Sequence, residues 1–259
     1  MQDARIERIA AKLAADWEPR AAYETLTDEF APRDFDDAYR IQEALQRLYV
    51  PARGAIAGRK IALSSKAMQE MVGIDRPIAG AIFANDVHQT GTAIPRSAFR
   101  RLGLEYELAF EIARDVSGPV DADSALDLVA TVRPAFELIE DKDADYARLD
   151  VLTLLADNAW CGGVVLGTEI ADWRDLDLGD LPSVLSQDGH EDEAGNTGAA
   201  DPVNSLAWTL NHFTGRGAVV KAGEVIITGS ALRTRFPVAG DRFRYEISGH
   251  GAVELSVTG

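Results

Sequence analysis

The sequence predicts an α+β chain in which a small helical N-terminal region precedes a strand-rich remainder, and three observations carry that expectation. Apolar residues recur at helical spacing through the first fifty or so positions. From Ile56 the pattern changes to short apolar or alternating runs separated by glycine, proline and acidic turns. The tail holds three such runs, 224–228, 242–247 and 252–257, with turns at Gly229, Gly240 and Gly249.

In chain order, Ile6, Ile9, Leu13 and Trp17 share one helical face, and Ala38, Ile41, Leu45 and Leu48 share another behind an N-cap at Asp34. The change of pattern falls around Pro51 to Gly54, which divides the chain into a helical region, 1–53, and a larger domain, 54–259. Ser65 can cap a short helix running through Met71 and closed by Gly73, so that Lys60 stands on the strand just before it. Ser124 and Asp127 have the spacing of a capping box for a helix carrying Leu128, Val129 and Val132, stopped by Pro134, with 136–139 extended beyond. Residues 150–158 and 202–213 read as helices, 163–166 as a buried strand, and the polar, acidic stretch 187–200 as an exposed loop.

Composition narrows the function. A net charge of −16 and no basic stripe with interleaved aromatics argue against nucleic acid as a partner. The single cysteine, Cys161, excludes an intrachain disulfide and a cysteine-built zinc site, and its apolar setting reads as a small buried hydrophobe. The N-terminus mixes acids and bases without the apolar core of a signal peptide, and no window approaches the roughly 18 apolar residues of a membrane span. A cytoplasmic protein without a membrane partner is expected.

The most informative stretch is Leu104-Glu105-Tyr106-Glu107-Leu108-Ala109-Phe110-Glu111-Ile112, apolar at every even position. On a strand, Glu105, Glu107 and Glu111 then share the face opposite the apolar set, with Glu105 and Glu107 roughly 7 Å apart. An isolated pair of this kind is ordinarily a solvated face. Glu137 changes the reading, because it stands among apolar residues in 133–139 and a carboxylate there needs compensation. Three carboxylates, completed by water or substrate oxygens, suit magnesium or manganese. His88, His190, His212 and His250 are scattered without ligand spacing.

Beyond these acids, the segment Gly58-Arg59-Lys60-Ile61-Ala62-Leu63-Ser64-Ser65-Lys66-Ala67-Met68, then Gly73-Ile74-Asp75, Glu105-x-Glu107 and Pro134-Ala135-Phe136-Glu137 follow one family's order. Asp157-Asn158-Ala159, Val165-Leu166-Gly167, Asn204 to Trp208, Ala222 to Ser230 and Gly240-Asp241 continue it. Across most of the chain from Asp34, the sequence resembles the 2-oxopent-4-enoate hydratase and 4-oxalocrotonate decarboxylase group of the fumarylacetoacetate hydrolase superfamily. The resemblance implies a mixed β-sandwich or roll, metal ligands Glu105, Glu107 and Glu137, an active-site lysine at Lys60, and a homo-oligomer. It also implies substrate contacts from Asp75, the backbone around Leu63 and the Ser65 hydroxyl, although Ser65 is equally a helix cap and Asp75 a turn residue. Trp160 departs from the family, whose hydratases often have serine or another small residue there.

The function implied is hydration of a 2-hydroxydienoate, through its 2-oxo form, to a 4-hydroxy-2-oxo acid in aromatic meta-cleavage catabolism. The small 2-oxo acid is expected to chelate Mg2+, or Mn2+, through its carboxylate and 2-oxo oxygens. Lys60 then moves protons or holds the substrate carboxylate. The nearest rival is 4-oxalocrotonate decarboxylase, for which Arg59, Arg76 or Arg96 could face a second carboxylate. A carbon–carbon hydrolase ranks third because no histidine motif to activate water stands beside Lys60 in this chain, and a non-catalytic partner subunit of a hydratase–decarboxylase complex would not need the intact acidic set.

Overall fold

The computed structural model describes residues 2–17 and 20–259; Met1, Glu18 and Pro19, part of the N-terminal segment read above, lie outside the described residues. Two helices open the chain, α1 (Gln2–Trp17) and α2 (Phe35–Arg53). Asp34 caps α2 by accepting from Asp37 N at 2.8 Å, and Gly54 follows its last residue with φ of 83°. Ala38, Ile41 and Leu45 are buried as the spacing predicts, but Leu48 is exposed and Tyr49 takes the next inward place.

Strand β1 (Ile56–Ala62) leads into α3 (Lys66–Met71), whose N-cap is Ser65, and then β2 (Ile78–Phe83). Short strands β3 (Val87–Gln89) and β4 (Thr92–Pro95) precede the long β5 (Leu102–Ile112). After α4 (Ala122–Leu126) come β6 (Val129–Glu140), α5 (Val151–Ala156) and β7 (Cys161–Leu166). The chain ends through β8 (Pro182–Gln187), β9 (Glu193–Asn196), α6 (Pro202–Gly215), β10 (Val225–Ile227), β11 (Arg242–Ile247) and β12 (Gly251–Thr258).

Two expectations are corrected. The capping box is formed by Asp121 and Ser124, one turn earlier than Ser124 and Asp127, so α4 ends at Leu126. Val129 and Val132 belong to the twelve-residue strand β6, and Pro134 sits within it rather than stopping a helix. Pro134 is tolerated because its carbonyl still accepts from Gly167 N at 2.8 Å, while Arg133 Nη1 donates to Gly167 O at 3.2 Å where the proline has no N–H to offer. Likewise 187–200 is not a plain exposed loop: β8 and β9 form an antiparallel pair there, and Thr197 is buried, donating to Leu178 O at 2.7 Å and accepting from Leu181 N at 2.9 Å. Polar composition misled because β9 is an edge strand with little apolar burial of its own.

The strands make a seven-stranded sheet, β2-β1-β10-β5-β6-β7-β3, and a five-stranded sheet, β4-β12-β11-β8-β9. The even positions of β5 face the smaller sheet, where Tyr106 meets Tyr245 with ring centroids 5.7 Å apart. The larger sheet curls until β2 lies against β7, enclosing a second core of Ile82, Ala109, Ala135, Cys161, Val164, Val225 and Ile227. The odd positions of β5 point into this roll.

Candidate active site

Antiparallel register builds the acidic group. Glu105 lies directly opposite Glu137, and Glu107 opposite Ala135, so all three carboxylates project from one face of the β5–β6 pair. Their oxygens come within 4.8 Å of one another. Like charges directly opposite one another destabilise an antiparallel pair, and burial removes the water that would screen them. Glu137 is fully buried and Glu107 nearly so, while Glu105 remains partly accessible.

The surrounding chain holds these acids in place. Glu107 Oε2 accepts from Gly229 N at 2.6 Å, and Glu105 Oε1 accepts from Thr234 Oγ1 at 2.7 Å. Gly229 adopts φ of 96°, and a Cβ there would stand 2.6 Å from Ser64 Oγ, so glycine alone lets this backbone reach the carboxylate. From β1, Lys60 extends its Nζ to 2.5 Å from Glu137 Oε1 and donates to Ala159 O at 3.1 Å.

Burial by itself would lower the Lys60 pKa, but Glu137, with Cys161 and Glu105, outweighs it and holds the lysine above its ordinary value. Burial, then the charges of Glu137 and Glu105, pushes Glu107 well above the carboxylate range. Burial raises Glu137 too, against the pull of Lys60. One ammonium thus faces three carboxylates, and the all-oxygen donor set has the character that a hard divalent cation requires. Burial pushes the Cys161 thiol up to about 12, which keeps it an inert core group.

A cavity of about 510 Å³ reaches this cluster at Lys60 and Glu105 and is lined also by Ile139, Leu149, Leu154 and Trp160; Glu107 and Glu137 are not among its lining residues. Leu63 and Ser65 also line it; Leu63 has φ of 54°, and Ser65 Oγ accepts from Met68 N at 3.3 Å as the helix cap. Asp75 is not brought there: its side chain is 80% exposed and bonds Arg76 at 2.8 Å, because the turn after α3 carries it out to the surface. The arginines considered for a second carboxylate do not line the cavity either. Arg59 pairs with Glu224 at 2.9 Å, Arg76 with Asp75, and Arg96 donates to Phe99 O at 2.9 Å.

Sequence reasoning missed Thr234, Tyr146 and the exposed Arg233, all of which line the cavity, and the Gly229 amide. The Thr228-Gly229-Ser230 run was the available signal: Thr228 Oγ1 donates to Leu108 O at 3.1 Å and Ser230 Oγ accepts from Tyr106 N at 2.9 Å, pinning this loop along β5.

Residues 63–258 match the family model described as fumarylacetoacetate (FAA) hydrolase C-terminal. A 2-hydroxyhexa-2,4-dienoate hydratase of Comamonas testosteroni is 31% identical over 241 residues, 90% of each chain. A 2-keto-4-pentenoate hydratase of Paraburkholderia xenovorans is 32% identical over 232 residues, 88% of this chain and 86% of that one. Among solved structures, 4-oxalocrotonate decarboxylase from Pseudomonas putida G7, complexed with magnesium and adipate, superposes with a TM-score of 0.90 at 24% identity, covering 99% of this chain and 98% of the other. That likeness establishes the shared fold.

Proposed function

Since the chain belongs to the fumarylacetoacetate hydrolase family, we propose that it is a metal-dependent lyase adding water to a 2-hydroxydienoate, through its 2-oxoenoate form, to give a 4-hydroxy-2-oxo acid in aromatic meta-cleavage catabolism. The observation that carries this reading is the convergence of Glu105, Glu107 and Glu137 beside Lys60, with Glu105 and Lys60 lining a cavity that apolar side chains also line. In this reading residues 1–53 are a helical region and 54–259 the catalytic domain. The protein works as a cytoplasmic homo-oligomer, in keeping with its single free thiol and with the absence, among the described residues, of a helix able to cross a membrane.

Glu105, Glu107 and Glu137 would hold Mg2+ or Mn2+, which supplies Lewis-acid stabilisation for negative charge growing on a 2-oxo oxygen. The magnesium of the structurally similar decarboxylase is in keeping with that choice. Gly229 and Thr234 keep two of the carboxylates aimed at one point. Lys60 moves protons at Nζ or holds the substrate carboxylate. Ile139, Leu149, Leu154 and Trp160 exclude water from the hydrocarbon part, while Ser65 and the Leu63 backbone face substrate oxygens from the rim.

A magnesium-supplemented assay of 2-hydroxydienoates and oxo diacids, with products identified, tests the proposal. Hydration of 2-hydroxypenta-2,4-dienoate without carbon dioxide release is the expected result. Carbon dioxide release from 2-oxo-3-hexenedioate, with no hydration of any dienoate, would assign the decarboxylase reaction instead.

A further inference from the structure

Strand β2 forms one edge of the larger sheet, and an edge strand turns alternate N–H and C=O groups away from its neighbour. Buried groups of this kind require partners. Here they belong to Ala79 and Ala81, and side chains take all four. Tyr39 Oη accepts from Ala79 N at 3.1 Å, and Gln42 Nε2 donates to Ala79 O at 2.8 Å. Asn158 Oδ1 accepts from Ala81 N, and its Nδ2 donates to Ala81 O, both at 2.9 Å.

Gln46 Nε2 links the two halves, donating to Gln42 Oε1 and to Asn158 Oδ1 at 3.0 Å each. Gln42, Gln46 and Asn158 are all buried, so helix α2 is tied through an amide chain to the segment after α5.

That segment is unusual. Asn158, Ala159 and Trp160 adopt φ of 54°, 47° and 55° in succession. Asparagine tolerates the left-handed region, but alanine and tryptophan are disfavoured there and persist only when the surroundings over-determine them. The run turns the Ala159 carbonyl onto Lys60 Nζ at 3.1 Å. Gly80, opposite Lys60 in the β1–β2 register, permits the close packing: a Cβ there would sit 2.7 Å from the Asn158 carbonyl oxygen.

We propose that Asn158, braced by Gln46, is a positioning residue that holds the left-handed run so that the Ala159 carbonyl fixes the direction of the Lys60 ammonium. Neither side chain is a lining residue of the cavity, and both act through Lys60. This rests on the reading of Lys60 as an active-site group given above.

Gln46→Met keeps the side-chain length while deleting both donations, and Asn158→Gly keeps the left-handed backbone accessible while deleting the amide. Each is compared with the wild type by dienoate hydration kinetics, by the stoichiometry of oxalate binding with magnesium present, which counts intact sites, and by crystallography. In Gln46→Met, kcat per intact site falls about tenfold, the scale expected of a displaced catalytic group, with KM held within about twofold. Lys60 Nζ moves beyond about 3.5 Å from Ala159 O. Asn158→Gly shows the larger loss, and serves alone if Gln46→Met does not fold.

Wild-type kcat per intact site, or Nζ unmoved in either variant's crystal structure, overturns the proposal. Should the wild type hydrate no dienoate, the proposed reaction fails separately, and the position of Nζ still decides this one.

Discussion

At Glu107 the two carboxylate oxygens meet different fates: one accepts from the Gly229 amide, and the other is enclosed with no hydrogen-bond donor among the described residues. Replacement by an isosteric neutral amide removes a carboxyl whose ionisation burial and the charges of Glu137 and Glu105 oppose, and keeps an oxygen to accept from Gly229 N. Glu107→Gln is therefore expected to fold normally, with an unfolding midpoint in chelator equal to or above that of the wild type, and to lose most metal-dependent turnover. Wild-type activity in that variant contradicts the ligand assignment. Trp160 packs against Tyr23 and Tyr146, with ring centroids at 5.5 Å and 6.5 Å, and lines the cavity. Trp160→Ser is expected to lengthen the accepted chain, raising kcat/KM for a seven-carbon over a five-carbon dienoate by roughly tenfold, the discrimination a change in apolar pocket size supplies. Its stability falls by about 3 kcal/mol or more, read from denaturant midpoints. His212 is stacked on Trp208 at 5.1 Å, and burial, with Arg216 and Arg59, pushes its pKa down to about 4. A histidine depressed in the folded state favours folding fully above its unfolded value of about 6.5 and loses that contribution as pH falls from there through about 4. His212→Phe should flatten the loss of stability across that window; an unchanged slope would show that the imidazole does not titrate on unfolding.

At the scale of elements, the acidic group is a property of the β5–β6 pair. A cation held by Glu105 and Glu107 on one strand and Glu137 on the other would bridge the two strands and convert cross-strand repulsion into attraction. Magnesium or manganese should stabilise the fold by about 2.7 kcal/mol at a hundredfold excess over Kd and so raise the unfolding midpoint, and a chelator should reverse it. Calorimetry with and without chelator measures this, and an unchanged midpoint would mean that no cation bridges the strands. The alternation of β5 was legible because both its faces are chemically distinct, one apolar and one acidic. Strand β6 was not: its first half is followed by a proline and preceded by a cap-like Ser–Asp spacing, and only the β5 partner makes 129–132 extended.

For the molecule as a whole, the helical N-terminal region is structurally continuous with the larger domain. Tyr39 and Gln42 bond the β2 edge directly, Gln46 joins Gln42 to Asn158 behind it, and Ile41, Leu45 and Tyr49 share one apolar core with Phe83, Leu154 and Leu155. Residues 54–259 expressed alone are expected to lack near-ultraviolet circular dichroism and a cooperative unfolding transition, since their β2 edge and core would meet water. A folded, active fragment would refute that view.

By itself the sequence determined the local structure of α1, α2, α3, α6 and the terminal strands, together with the acids and the lysine, because periodicity, caps and residue chemistry act within a few positions. Tertiary structure alone decided that Glu105 faces Glu137, that Lys60 reaches them across a curled sheet, that Asp75 stays outside, and that Gln46 and Asn158 stand behind Ala159. These are contacts between residues many positions apart, set by strand register and sheet curvature, and no short window of the chain contains them.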